Sequence, residues 1–205
     1  MESKGTLKTE AGESMNSKHM QAIRDVLNDL EPKQKALPYL ELDSMMLAQV
    51  VEVAKRVSQN NINPTHVQNW VRRKYLPHPQ KKKYNREQVA NILLINDLRD
   101  ILSLEEVSHL LGYVNENHLD TSDDRINPTK LYGYYSEIFD RSQMDWQKSL
   151  QGLEKEVEET LFGKEVAEED REKVATTLVV LNLLARANLY KQIAKRWLNS
   201  LDTKD

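Results

Sequence analysis

The sequence predicts an all-α protein, and three observations carry that prediction. Apolar residues recur at spacings of three and four along most of the 205 residues, the period of a helix with one buried face. Several of these segments open on Asn-Pro, or on Ser or Asn with Glu or Gln three residues later, which are helix N-terminal signals. Alternating β-branched runs bounded by turn pairs, the mark of strands, are almost absent.

Taken in order, residues 1–18 are polar and aperiodic and read as a flexible tail. His19 to Leu30 sets Ile23, Val26, Leu27 and Leu30 at helical spacing, a short amphipathic helix stopped by Glu31-Pro32. A connector holding Pro38 runs on to Asp43, so residues 19–43 form an N-terminal helix and connector.

Asp43 or Ser44 caps the next helix, which extends to about Ser58 with Met46, Leu47, Val50, Val51, Ala54 and Val57 on one stripe. Asn60-Asn61 breaks it. Asn63 then caps a helix with Pro64 at its first position, where a missing N–H costs nothing. At 100° per residue, Val67, Trp70, Val71 and the stem of Lys74 share one face. Thr65, Gln68, Asn69 and Arg72 share the opposite face. Tyr75-Leu76-Pro77 ends the helix, and His78 to Lys83 reads as a tight loop or ribbon.

Asn85 and Gln88 have capping-box spacing and open a largely buried helix through Val89, Ile92, Leu93, Ile95 and Leu98. Ser103 and Glu106 form a second capping box. Its helix carries Leu104, Val107, Leu110 and Leu111 and is closed by Gly112. Residues 44–112 therefore make one module. Tyr113 to Ile126 is a polar loop.

Asn127-Pro128 starts a long amphipathic helix through Leu131, Tyr135, Ile138, Trp146, Leu150, Leu153, Val157 and Leu161, with a kink expected near Ser142 and an end at Gly163. Glu168-Glu169-Asp170 suits the first turn of a last helix. That helix is apolar nearly all round from Val174 to Ala187, so it must be covered. The expected cover is the preceding helix, as an antiparallel hairpin over residues 127–201, with a second copy of the chain as a further partner. This region is the candidate for dimerisation or for an effector.

Composition narrows the function. The chain has no Cys, which excludes disulfides, thiol catalysis and Cys-based zinc sites and fits a cytoplasmic protein. Met1 to Met20 has no apolar core, and Leu178 to Ala187 falls short of the roughly 20 apolar residues of a membrane span, so neither leader nor span is expected. Net charge is −3, unevenly spread. Val50 to Arg86 holds nine cations against Glu52 alone, a net +8 that leaves −11 on the rest. A basic module in an acidic chain suggests one face made for phosphates.

Helix, Asn turn, short helix, basic loop and two more helices is the order of a winged helix-turn-helix. Ile62 to Pro77 resembles the recognition segment of MerR-type regulators, through Asn63, His66-Val67-Gln68-Asn69-Trp70 and Lys74-Tyr75-Leu76-Pro77. Tyr84-Asn85-Arg86-Glu87-Gln88-Val89 is similar to the end of that family's wing and the helix after it. Ser103-Leu104-Glu105-Glu106-Val107 is similar to its closing helix start. The resemblance covers about Met45 to Leu111. Trp70 to Pro77 with Lys81-Lys82-Lys83-Tyr84 further resembles a group of uncharacterised bacterial proteins that join a MerR-like domain to a helical C-terminal half. The Arg-Tyr pair that touches DNA in the family is Gln68-Asn69 here, and the wing is shorter.

The resemblance implies a homodimeric DNA-binding transcriptional regulator. Its recognition helix, residues 64–74, would enter the major groove of double-stranded DNA, and a basic wing, residues 78–84, would lie on the phosphate backbone. On that reading Gln68 and Asn69 offer paired donor and acceptor to adenine edges. Arg72 reaches guanine or phosphate, and Thr65 a phosphate or a thymine methyl. Lys81, Lys82 and Lys83 bind backbone, Arg73 and Arg86 clamp phosphates, and Tyr84 completes the wing. The alternative is a protein-interaction module whose helix-turn-helix no longer binds DNA.

Tyr132, Tyr134, Tyr135, Phe139 and Trp146 form an aromatic stripe, read as core or dimer contact or as the lining of a small-molecule effector pocket. The histidines lack metal spacing, and no carboxylates in Glu154 to Glu172 are oriented as an acid/base pair. Neither metal, cofactor nor enzymatic activity is therefore expected.

Overall fold

In the computed structural model the described residues are 25, 38–58, 60–115 and 124–201. Residue 25 is helical; the rest of the expected tail and of the first helix lies outside the described residues. The described chain is mostly helical, with one two-stranded sheet. Its described residues divide into two compact units, 38–148 with 186–201, and 149–185 with residue 25.

In the larger unit a 3-10 turn at Tyr39–Glu41 leads to β1 (Ser44–Met46) and α1 (Leu47–Val57). Then come α2 (Pro64–Arg72), β2 (Lys83–Asn85), α3 (Arg86–Leu98) and α4 (Leu104–Asn115). The unit also takes the first part of α5 (Pro128–Leu161) and the end of α6 (Glu168–Ser200). Helix α3 is the central post. Val89, Ala90, Ile92 and Leu93 are fully buried, and even its polar Asn91 and Asn96 are inside. Against that cluster pack Val50, Val53 and Ala54 of α1, Val67 and Trp70 of α2, Val107 of α4, Tyr132 of α5 and Leu198 of α6. An apolar surface this wide on one helix accounts for the layered arrangement, since each neighbour has only one stripe to bury.

Ser44 to Met46 does not begin a helix, contrary to the expectation. It forms β1, antiparallel to β2, with Met45 opposite Tyr84 and both facing the core. Helix α1 starts three residues later, where the Gln49 side chain accepts from the Met46 backbone N–H at 2.8 Å. The pairing lies about forty residues away in the chain, so no local pattern announces it.

Helix α4 also departs from expectation, running through Gly112 to Asn115. Gly112 has no left-handed backbone to end the helix. Instead buried Asn115 closes it, donating to the Ile126 carbonyl at 2.8 Å and accepting from its N–H at 3.2 Å. Asn127 caps α5 as expected, accepting from the Thr129 N–H at 2.8 Å. The Ser142 hydroxyl donates to the Ile138 carbonyl at 3.0 Å, and α5 continues past it to Leu161.

In the smaller unit the end of α5 and the first half of α6 form the expected hairpin. Leu153, Val157 and Leu161 pack on Ala175 and Val179. Gly163, at φ +68°, makes the turn, and the Arg171 guanidinium donates to the Leu161 carbonyl at 2.8 Å. Among the described residues α6 is not covered all round: Val180, Leu181 and Leu184 are exposed. No helix among the described residues is long and apolar enough to cross a membrane.

Candidate nucleic-acid interface

The site is built on α2 and the β1–β2 ribbon. Asn63 takes an extended backbone and accepts from the His66 N–H at 3.0 Å, which starts α2 at Pro64. Burial of Val67, Trp70 and Val71 turns Thr65, Gln68 and Arg72 outward, and all three are exposed. Asn69 is half-buried, and its side-chain oxygen accepts from Arg72 Nη2 at 2.8 Å. Gln68 thus presents its whole amide, while the Asn69 side-chain oxygen uses one lone pair to orient Arg72.

The helix ends with Lys74 in the left-handed region at φ 62°. The Tyr75 N–H donates to the Trp70 carbonyl at 2.9 Å and the Lys74 N–H to the Val71 carbonyl at 3.0 Å. This is the double closure that glycine usually supplies. Arg73 leaves the outward face. It donates to Glu105 at 2.8 Å and lies 5.1 Å over the Tyr75 ring. The Tyr75 hydroxyl donates to the same carboxylate at 2.5 Å and holds Glu105 below the usual carboxylate range. Arg73 therefore ties the end of α2 to α4.

The loop after α2 returns through a hairpin whose tip is Lys81-Lys82. Both have positive φ, 48° and 65°, and the Lys83 N–H donates to the Gln80 carbonyl at 2.8 Å. Those are the marks of a type I′ turn, which ordinarily selects Asn-Gly. The ribbon holds Lys81, Lys82 and Lys83 exposed. Its base is braced by Gln88, which closes the cap with Asn85 and donates to the carbonyls of Pro77 and His78 at 3.1 and 3.2 Å.

Besides Arg73, two more of the expected contacts are engaged elsewhere. Tyr84 is 3% exposed and packs into the core opposite Met45, so it is a scaffold residue and not a contact. The even register of the strand sends Lys83 out and Tyr84 in. Arg86 forms a 2.6 Å ion pair with Asp43 across the ribbon. His66, in the first turn of α2, is half-buried: it stacks on Trp70, with Arg99 Nη1 3.3 Å from its Nδ1. Burial first, and the Arg99 charge second, lower its pKa.

The turn before α2 was missed as an organising element. Ser58 is buried and donates to Asp97 at 2.5 Å, while accepting from Asn96 at 2.8 Å. Asn60 donates to the Asn96 carbonyl at 2.7 Å, and Asn96 returns a bond to the Asn60 carbonyl at 3.0 Å. Asn60 had signalled only a helix break; the partner on α3 is what makes the break rigid.

The aromatic stripe of α5 packs on itself. Tyr132 and Tyr135 lie 6.1 Å apart, Tyr135 and Phe139 6.0 Å, and Phe139 meets Trp146 edge-on at 5.1 Å. Tyr132 is in the core, and burial pushes its hydroxyl up to about 12. Tyr135 is raised by burial too, with the Asp97 charge adding to it. Among the described residues no His, Asp or Glu cluster is arranged to hold a metal.

A helical module centred on α3, with a short ribbon beside an outward polar helix, spans the segment in which the comparisons fall. Residues 32–135, just over half of the chain, match the family described as Domain of unknown function (DUF1836), and the chain belongs to that family. It is 28% identical over 122 residues to Uncharacterized protein YkrK of Bacillus subtilis (strain 168), across 58% of this chain and 51% of that protein. The chain thus spans about half the length of the curated relative it matches. No solved structure gives a significant match.

Proposed function

We propose that the chain is a DNA-binding transcriptional regulator with a MerR-like winged helix-turn-helix. Thr65, Gln68 and Arg72 of α2 would meet the major groove, and Lys81, Lys82 and Lys83 the flanking phosphates. The observation that carries this reading is the hairpin tip. Two adjacent lysines in left-handed backbone cost on the order of 1–3 kcal/mol each. Asn-Gly would relieve that strain. A strained pair of cations beside an outward polar helix makes sense where charge is needed at that point, because phosphate attraction grows with each neutralised contact.

The set of contacts is smaller than ten. Arg73 and Arg86 are held by Glu105 and Asp43, and Tyr84 is buried. A single module of this size reads few bases, so a homodimer on two half-sites is part of the proposal. Exposed Leu189, Ile193 and Trp197, four residues apart on α6, support pairing of two copies.

The test is a titration with random-sequence duplex DNA across salt concentrations. Steep salt dependence that flattens when Lys81, Lys82 and Lys83 become Ala supports the reading. No binding at low salt overturns it and leaves the protein-interaction module as the better account.

A further inference from the structure

A groove of about 790 Å³ lies between the start of α1, the outward side of α2 and the hairpin loop. That volume falls in the range of sites for small organic ligands, roughly 300–1,000 Å³. Its walls are apolar: Leu47, Val71, Pro79 and Tyr84, with the exposed Met46 at one edge. Arg72 and Lys82 stand on its rim, with no carboxylate among the lining residues. Leu47 and Ala48, also in the lining, are the first residues of α1, so the positive end of that helix dipole lies at the groove.

The geometry points to a binding site for a small amphiphilic carboxylate, an acid with an aryl or alkyl body. The body fills the apolar walls, and the carboxylate takes the Arg72 and Lys82 charges. A sugar–phosphate backbone offers too little apolar surface to fill this groove, whereas an acid with a six- to ten-carbon body matches both parts. Because Gln68 and Arg72 belong to both surfaces, a bound acid and a duplex exclude each other. That exclusion rests on the DNA reading; binding of the acid does not.

The experiment titrates the ¹⁵N-labelled full chain with 4-phenylbutyrate and, separately, with 4-phenylbutanol and 4-phenylbutylamine. The expected result is saturable shifts of the Leu47, Ala48, Val71 and Tyr84 amides by the acid, with the alcohol about tenfold weaker and the amine weaker still. Arg72→Gln should weaken the acid about tenfold and leave the alcohol unchanged. Ala48→Glu, at an exposed first-turn position that favours a carboxylate, should abolish binding of the acid while the fold is kept. Equal affinity for acid and alcohol, or shifts that map elsewhere or do not saturate, overturns the proposal. Each of these is read without DNA, so failure of the DNA titration leaves the result intact.

Discussion

At the scale of single residues, backbone conformation distinguishes cations that ordinary surface charge would make equivalent. Lys81 and Lys82 occupy the two left-handed positions of the ribbon tip. The double variant Lys81→Asn, Lys82→Gly is expected to raise stability by about 2 kcal/mol or more in urea melts, by relieving the turn. The same variant should lower the slope of log affinity for duplex against log salt by about two, one phosphate contact per lysine. A loss of stability, or an unchanged slope, would refute the role assigned to the tip. His66 gives a second test. Its pKa lies below the ordinary 6.5 in the folded chain, so the unfolded chain binds the proton first as pH falls. Its contribution is complete above about pH 6.5 and is lost as pH drops through the folded value. Stability should therefore decline below about pH 6.5, and His66→Gln should remove that part of the decline in thermal melts across pH.

At the scale of elements, the orientation of α2 depends on three attachments outside it. Asn63 fixes the start, the Ser58–Asn60–Asn96–Asp97 cluster fixes the turn to α3, and Arg73 with Tyr75 fixes the end to Glu105. Ser58→Ala strips a buried acceptor from Asn96 and a donor from Asp97. It is expected to cost about 1–3 kcal/mol, read as a lower urea midpoint. An unchanged midpoint would show that the cluster contributes nothing net. The N-cap of α2 was legible because a cap and a proline act over three residues. Ribbon β1–β2 was not, because Ser44 to Met46 is too short for an alternating pattern and its partner is far along the chain. Tyr84 was misassigned for the same reason: without the strand its inward register is invisible, and a tyrosine after three lysines reads as surface.

For the whole molecule, the exposed apolar residues of α6 are what motivate the proposed pairing of two chains. Leu189, Ile193 and Trp197 are 55%, 41% and 74% exposed at spacings of four, an apolar stripe on one face of α6. Sedimentation equilibrium should give a dimer for the native chain and a monomer for Ile193→Glu, with helix content unchanged by circular dichroism. A native chain that sediments as a monomer would remove the homodimer. The helical class, the two-sided character of α2, the caps at Asn63, Asn85 and Asn127 and the hairpin turn that packs Leu153 and Val157 on Ala175 and Val179 were all determined by the sequence alone. Each rests on periodicity or on contacts within four residues, which the chain carries in its local order. Only the tertiary structure decided that Tyr84 turns inward, that Arg73 and Arg86 are tied to carboxylates, and that a groove opens between α1, α2 and the ribbon. Those are matters of which distant segments meet, and residues forty positions apart are brought together by burial of a shared core, for which no local spacing is a signal.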